Sequence, residues 1–207
     1  MQLEPDDVLL VVDVQADFLP GGALAVPDGD AIVPVINRLG ALFPHVVLTQ
    51  DWHPAGHASF ASSHPGRAVF ETMGMPYGQQ VLWPDHCIQG SPGAALAAGL
   101  DLPRAELVIR KGFRPGVDSY SAFNEADRRP TGLAGYLRER GLRRVFLVGL
   151  ATDFCVAWSA RDARAAGFEA VVIEDACRAI NAAGSLDRAW AEMETAGVGR
   201  LQSAAVG

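Results

Sequence analysis

The segment VGLATDFCVAW (residues 148–158) leads from an apolar strand through a tight turn into a helix, and it carries a cysteine, Cys155. The spacing predicts a helix over 152–166 with Cys155 in its first turn. Free backbone N–H groups and the helix dipole there favour a thiolate, the nucleophilic form of the side chain. The same N–H groups can hold an oxyanion on an attacked carbonyl. A nucleophile needs a base, usually histidine, but the five histidines (His45, His53, His57, His64 and His86) all lie elsewhere in the chain. The charged groups expected beside Cys155 are Asp13 and Lys111, each at the end of a strand. An aspartate against the thiol can take its proton, and an ammonium stabilises the charges that result. All but one of the 17 basic side chains are arginine. Lys111, next to Arg110, therefore marks a place where a compact ammonium is wanted, since the two cations are not interchangeable in a tight site. Cys87 and Cys177 lack this context and read as small buried hydrophobes.

A second constellation is Asp51, His53, His57, His64 and His86. Asp-x-His in an irregular turn can place a carboxylate oxygen and an imidazole nitrogen on one ion, with a distant histidine completing the set. Mixed ligation of that kind suits one divalent Zn, Fe or Mn ion and leaves coordination positions open. Pro54 and Gly56 prevent a helical pairing of His53 with His57, and His45 and His64 read as surface residues.

These groups need a scaffold. Apolar runs at 8–13, 45–50, 106–111, 144–150 and 170–174 read as strands, with 201–206 as a sixth. Amphipathic stretches at 28–43, 131–140, 152–166 and 185–196 read as helices, with Pro34 delaying the first and Gly141 and Gly167 ending two others. Alternation of this kind predicts a three-layer α/β fold, a parallel sheet with helices on both faces. In such sheets ligands bind beyond the carboxyl ends of the strands, where Asp13, Asp51, His53, Lys111, Thr152, Asp153 and Cys155 all fall. Residues 51–93, rich in Pro, Gly and His, show little periodicity, and a loop that long is usually functional.

Composition narrows the partners. With 24 acidic residues and a net charge of −7, the chain is not built to neutralise nucleic-acid phosphates or to dock on anionic lipid. No apolar run is long enough to span a membrane, and the start, MQLEPDD, lacks a secretory pattern. Three cysteines without a CxxC suit a reducing cytoplasm. Dinucleotide, P-loop, serine-elbow and zincin motifs are absent.

The blocks VDVQADF (12–18), DWHPAGHASF (51–60), WPDHCIQGSPG (83–93), IRKG (109–112) and VGLATDFCV (148–156) resemble those of nicotinamidases, a group of isochorismatase-like cysteine hydrolases. The resemblance implies one such domain over 1–207, with a six-stranded parallel sheet. It matches Asp13, Lys111 and Cys155 to the catalytic trio, and Asp51, His53 and His86 to the metal ligands. His57 matches a fourth ligand found in some members. It matches Leu150–Ala151 to a non-proline cis peptide that aims the Ala151 N–H, with that of Cys155, at the oxyanion. Phe18, Trp83 and Tyr120 match pocket aromatics. The implied reaction is hydrolysis of a small-molecule amide, nicotinamide, to nicotinate and ammonia through a thioester, a step of NAD salvage, with pyrazinamide as a second substrate. The metal is expected to grip the pyridine nitrogen. Two other readings stand beside it: a metal-free relative acting on a carbamoyl or ureido compound, and a metal- or ligand-binding protein without catalysis. Oligomeric state has no signal in the sequence.

Overall fold

The run DVLLVV is buried at every position, as a strand covered on both faces requires. In the computed structural model, which describes residues 1–207, it forms β1 (Asp7–Val12), at the centre of the sheet. β2 (His45–Asp51) lies on one side of it and β6 (Arg144–Leu150) on the other. β5 (Ala105–Lys111) pairs outside β2, and β7 (Glu169–Arg178) and β8 (Gly199–Leu201) extend the opposite edge. Every pairing in this six-stranded sheet is parallel. β5 differs from a fully covered strand: its burial alternates, because it is an edge strand with one face open.

Alternate residues of the central strands feed two cores, as a period of two dictates. Leu9, Val11, Val46, Leu48, Phe146 and Val148 pack with Ile36, Leu39 and Phe43 of α1 (Val33–Leu42) and the residue after it. Val8, Leu10, Val12, Val47, Val145 and Leu147 pack with α2 (Leu133–Glu139), α3 (Ala157–Ala165) and α4 (Ser185–Thr195) on the other face. The layers are helix, sheet, helices.

The differences from expectation have local causes. The first helix begins at Val33, with Pro34 in its first turn and a 3-10 turn at Gly29–Ile32 taking up the rest of 28–43. β7 runs on to Arg178 past a register shift. The last strand is Gly199–Leu201, and within 201–206 the residues Ser203–Ala205 form a 3-10 turn instead. Within 51–93, Thr72–Met75 (β3) and Gly78–Val81 (β4) form an antiparallel hairpin. Its strands are short and largely exposed, so no apolar alternation marks them. Helix 152–166 is an α-helix only from Ala157; Thr152–Val156 form a π-turn. Residue 149 must be glycine, because its φ is +115° and a Cβ there would meet the Val12 carbonyl oxygen at 2.1 Å. That contact brings β6 against β1 just before the turn that carries Cys155.

Candidate active site

Lys111, the last residue of β5, is fully buried, and its ammonium is where the strand ends converge. Nζ donates to Asp51 Oδ1 at 2.5 Å, to the Ser119 carbonyl at 3.0 Å and to Cys155 Sγ at 3.3 Å. Those bonds occupy its three N–H groups. Asp13 Oδ2 lies 2.8 Å from Nζ in ionic contact but accepts no aligned hydrogen bond. Its other oxygen, Oδ1, is pinned by the Thr49 hydroxyl at 2.6 Å, and Thr49 Oγ1 accepts the Asp13 N–H at 3.1 Å. Thr49 thereby turns the carboxylate so that Oδ2, free to accept a proton, faces the lysine and the thiol. Oxygens of Asp13 and Asp51 and the Cys155 sulfur all lie within 4.8 Å of one another.

Burial is the largest influence on each of these groups. It pushes Asp13 above the usual carboxylate range, against the pull of Lys111 and with the help of Asp51. For Lys111 burial works against the charge, but Asp13 and Asp51 outweigh it and hold the ammonium well above its ordinary value. Cys155 corrects the sequence expectation. Burial, aided by the charges of Asp13 and Asp51, raises its thiol well above the ordinary value despite Lys111. The sulfur sits in a π-turn inside the fold, where lost solvation outweighs any helix-terminal field. The resting group is a thiol, and it needs a base.

Lys111→Arg is expected to cost on the order of a hundredfold in turnover, because the wider guanidinium displaces Asp13 or the sulfur by about an ångström. Steady-state kinetics on a well-folded variant check it.

Asp51 has a second neighbourhood on its other oxygen. His53 Nε2 and His86 Nε2 stand 3.7 and 3.8 Å from Asp51 Oδ2. These separations are too long for hydrogen bonds, but they fit three ligands around one ion with bonds of roughly 2.1 Å. Each histidine has its Nδ1 against a carbonyl, Gly112 O at 2.9 Å and Pro84 O at 2.8 Å, which directs Nε2 inward. Metal-binding histidines are commonly oriented this way. Gly112 is required there, since a Cβ would lie 2.4 Å from His53 Cε1. Gln15 clamps the backbone of Asp51 from both sides, accepting its N–H at 2.8 Å and donating to its carbonyl at 2.9 Å. The donor chemistry fits a divalent cation.

His57 stands apart from this set. Its ring lies tilted by 36° against that of His53, 4.4 Å between centroids, and it groups instead with His53 and Asp118, ligand atoms within 4.8 Å of one another. Nδ1 meets Ser59 Oγ at 2.7 Å and Nε2 meets the Arg114 carbonyl at 2.9 Å. His45 pairs with Glu106 at the surface, and His64 meets the Ala58 carbonyl, so neither joins the site.

Over residues 7–205 the chain matches the sequence profile of the isochorismatase domain. The chain belongs to the isochorismatase family. Among curated relatives, the nicotinamidase of Acinetobacter baylyi is 59% identical over 94% of this chain and 92% of its own length. That of Escherichia coli is 44% identical over 94% and 93%. A solved Acinetobacter baumanii nicotinamidase/pyrazinamidase superposes with a TM-score of 0.97 at 56% identity, covering 98% of both chains. The L. infantum protein PnC1, solved with nicotinate, gives 0.88 at 44% identity over 100% and 98%. The Pyrococcus horikoshii pyrazinamidase, solved in complex with zinc, gives 0.79 at 37% over 96% and 99%. The six-stranded parallel sheet with its helices is the isochorismatase-like fold of these relatives.

Cys155, Asp51, His53 and His86 line one cavity of this family member, walled by Phe18, Trp83 and Tyr120. The Leu150–Ala151 peptide is cis, and the Ala151 N–H makes no backbone hydrogen bond. The Tyr120 hydroxyl accepts from Trp83 Nε1 at 3.0 Å and Gln80 Nε2 at 3.1 Å. Sequence reasoning missed several wall and support residues. Phe154 packs edge-on to Trp83 at 4.9 Å, and Leu24, Asp118 and Ile180 complete the lining. Phe154 was detectable as the aromatic neighbour of Cys155. Thr49 and Gln15 lie at strand ends, where polar residues in apolar runs are themselves a signal. Asp118 and Ile180 have no local signature.

Proposed function

We propose that this chain is a nicotinamidase that hydrolyses nicotinamide to nicotinate and ammonia, and pyrazinamide in the same way, through a thioester on Cys155. The observation that carries the reading is the buried Lys111 ammonium, which holds Asp13, Asp51 and the Cys155 sulfur together, with Asp51 and Cys155 at the wall of one cavity. Asp13 Oδ2 takes the thiol proton, and Sγ attacks the amide carbonyl carbon. The carbonyl oxygen, now negative, is held by the N–H groups of Ala151 and Cys155. The C–N bond breaks as Asp13 gives its proton to the nitrogen, and ammonia leaves. Water then attacks the thioester while Asp13 takes one of its protons; the C–S bond breaks as Asp13 returns that proton to Sγ, and the acid departs and ionises to nicotinate. Lys111 keeps the negative charges of Asp13 and the sulfur tolerable in a buried site.

Asp51, His53 and His86 would hold one divalent ion (Zn, Fe or Mn), which when bound supplies a Lewis-acidic coordination position at the cavity wall for a substrate heteroatom. Phe18 and Trp83 flank a planar ring. The product places the enzyme in NAD salvage. Three unpaired, buried cysteines support a reducing cytoplasm as its compartment. No helix is long and apolar enough to cross a membrane.

The test is ammonia release from nicotinamide by purified protein whose metal content has been measured. Turnover together with one bound divalent ion is expected. Turnover without any metal favours the metal-free amidohydrolase reading, and a metal-loaded protein without turnover favours a binding protein.

A further inference from the structure

The reaction uses Cys155 and leaves Asp153, in the same π-turn, without a role. Asp153 is buried, and its carboxylate reaches across to the segment that joins β7 to α4. Oδ1 accepts the Ile180 N–H at 3.0 Å, and Oδ2 accepts the Asn181 N–H at 2.8 Å and the Ser185 hydroxyl. Two residues of that segment, Asn181 and Ala183, have left-handed φ values, +53° and +50°, a region asparagine visits readily but alanine does not. Few residues other than glycine occupy that region, and they persist there only where surroundings hold them. Ile180, in the same segment, packs against the hydrophobic core beneath it and lines the catalytic cavity together with Phe18, Phe154 and Cys155.

We propose that Asp153 is a positioning residue that fixes the Ile180 wall relative to the Cys155 sulfur, and so sets which ring substituents the cavity admits. The inference rests on the nicotinamidase reading. A charged acceptor buried among N–H and O–H donors makes strong bonds, so the tie is rigid, and it joins the wall directly to the turn that carries the nucleophile. Asp153 acts through Ile180 and touches none of the reacting atoms.

Asp153→Asn keeps the shape but sets an amide NH2 against backbone N–H groups, so at least one bond is lost. Steady-state kinetics on nicotinamide and 5-methylnicotinamide read the effect. KM for nicotinamide is expected to rise about tenfold with kcat within about threefold, and the preference for nicotinamide over its methylated analogue to fall about tenfold, the scale of one methyl group in a pocket. In an Ile180→Ala background, Asp153→Asn should change that preference no further. A purely structural role would lower kcat with the folded fraction and leave KM and the preference alone. That result overturns the proposal, as does an additive effect in the Ile180→Ala background. Should Asp153→Asn fail to fold, Ser185→Ala removes one of the three bonds and should move both quantities the same way by a smaller factor; unmoved values overturn the proposal. Wild-type protein that does not turn over nicotinamide defeats the underlying function. Normal wild-type turnover with an unmoved preference defeats only the role of Asp153.

Discussion

Replacing Cys155 by alanine is expected to lower nicotinamide hydrolysis by on the order of 10⁴-fold or more, the scale seen when a covalent nucleophile is removed from a site that keeps its oxyanion donors. No other cysteine can substitute. Cys87 is buried with its thiol pushed far up by lost solvation, and its backbone N–H is tied to Asp17 Oδ2 at 2.7 Å. Burial pushes Cys177 up to about 12, and the sulfur only grazes the Leu147 carbonyl, 4.0 Å away. Cys87→Ala and Cys177→Ala should therefore keep most of the activity if they fold. Ammonia release by the three variants at matched folded concentration checks this. A Cys155→Ala protein with near-normal turnover removes the thioester from the mechanism.

Asp13→Asn should cost about 10³-fold, within the range general acid–base catalysis contributes. The loss follows from the raised thiol: a buried cysteine held as its neutral form cannot attack until Oδ2 takes the proton, and an amide cannot take it. The pH dependence follows with a definite sign. Asp13 must be ionised to act as the base, so kcat/KM falls as pH falls through its pKa. Burial raises that pKa, which puts the acid limb at a higher pH than the value of about 3.9 for a free aspartate. The residual activity of Asp13→Asn should lack that limb. A variant that keeps both the rate and the limb would show that some other group takes the proton.

Much of the scaffold was legible because a parallel sheet covered on both faces leaves a plain mark. VLLVVD, HVVLTQ and RVFLVGL are apolar runs with little alternation; the first two end in a polar residue where the site begins, and the third leads through Ala151 to Thr152 and Asp153. The strand-end rule then brought Asp13, Lys111 and Cys155 to one edge without any knowledge of side-chain contacts. The lone lysine among arginines pointed to Lys111, and Asp-x-His pointed to Asp51 and His53. Other features are products of the folded whole. The thiol's state could not be read from a helix start, because burial at the sheet edge, not the local turn, dominates it. That Lys111 bonds Asp51 as well as contacting Asp13 depends on the register of β5 against β2, where Lys111 sits beside Asp51. The β3–β4 hairpin is too exposed to alternate, and Asp153 meets Ile180 and Asn181 across a sequence gap that no spacing rule covers.

Rapid-quench mass spectrometry of the enzyme mixed with nicotinamide bears most directly on the chemistry. The peptide that carries Cys155 should gain the mass of one nicotinoyl group transiently, at a rate no slower than steady-state turnover, with ammonia appearing ahead of nicotinate. Full-rate hydrolysis with no acyl group on Cys155 at any time would contradict it.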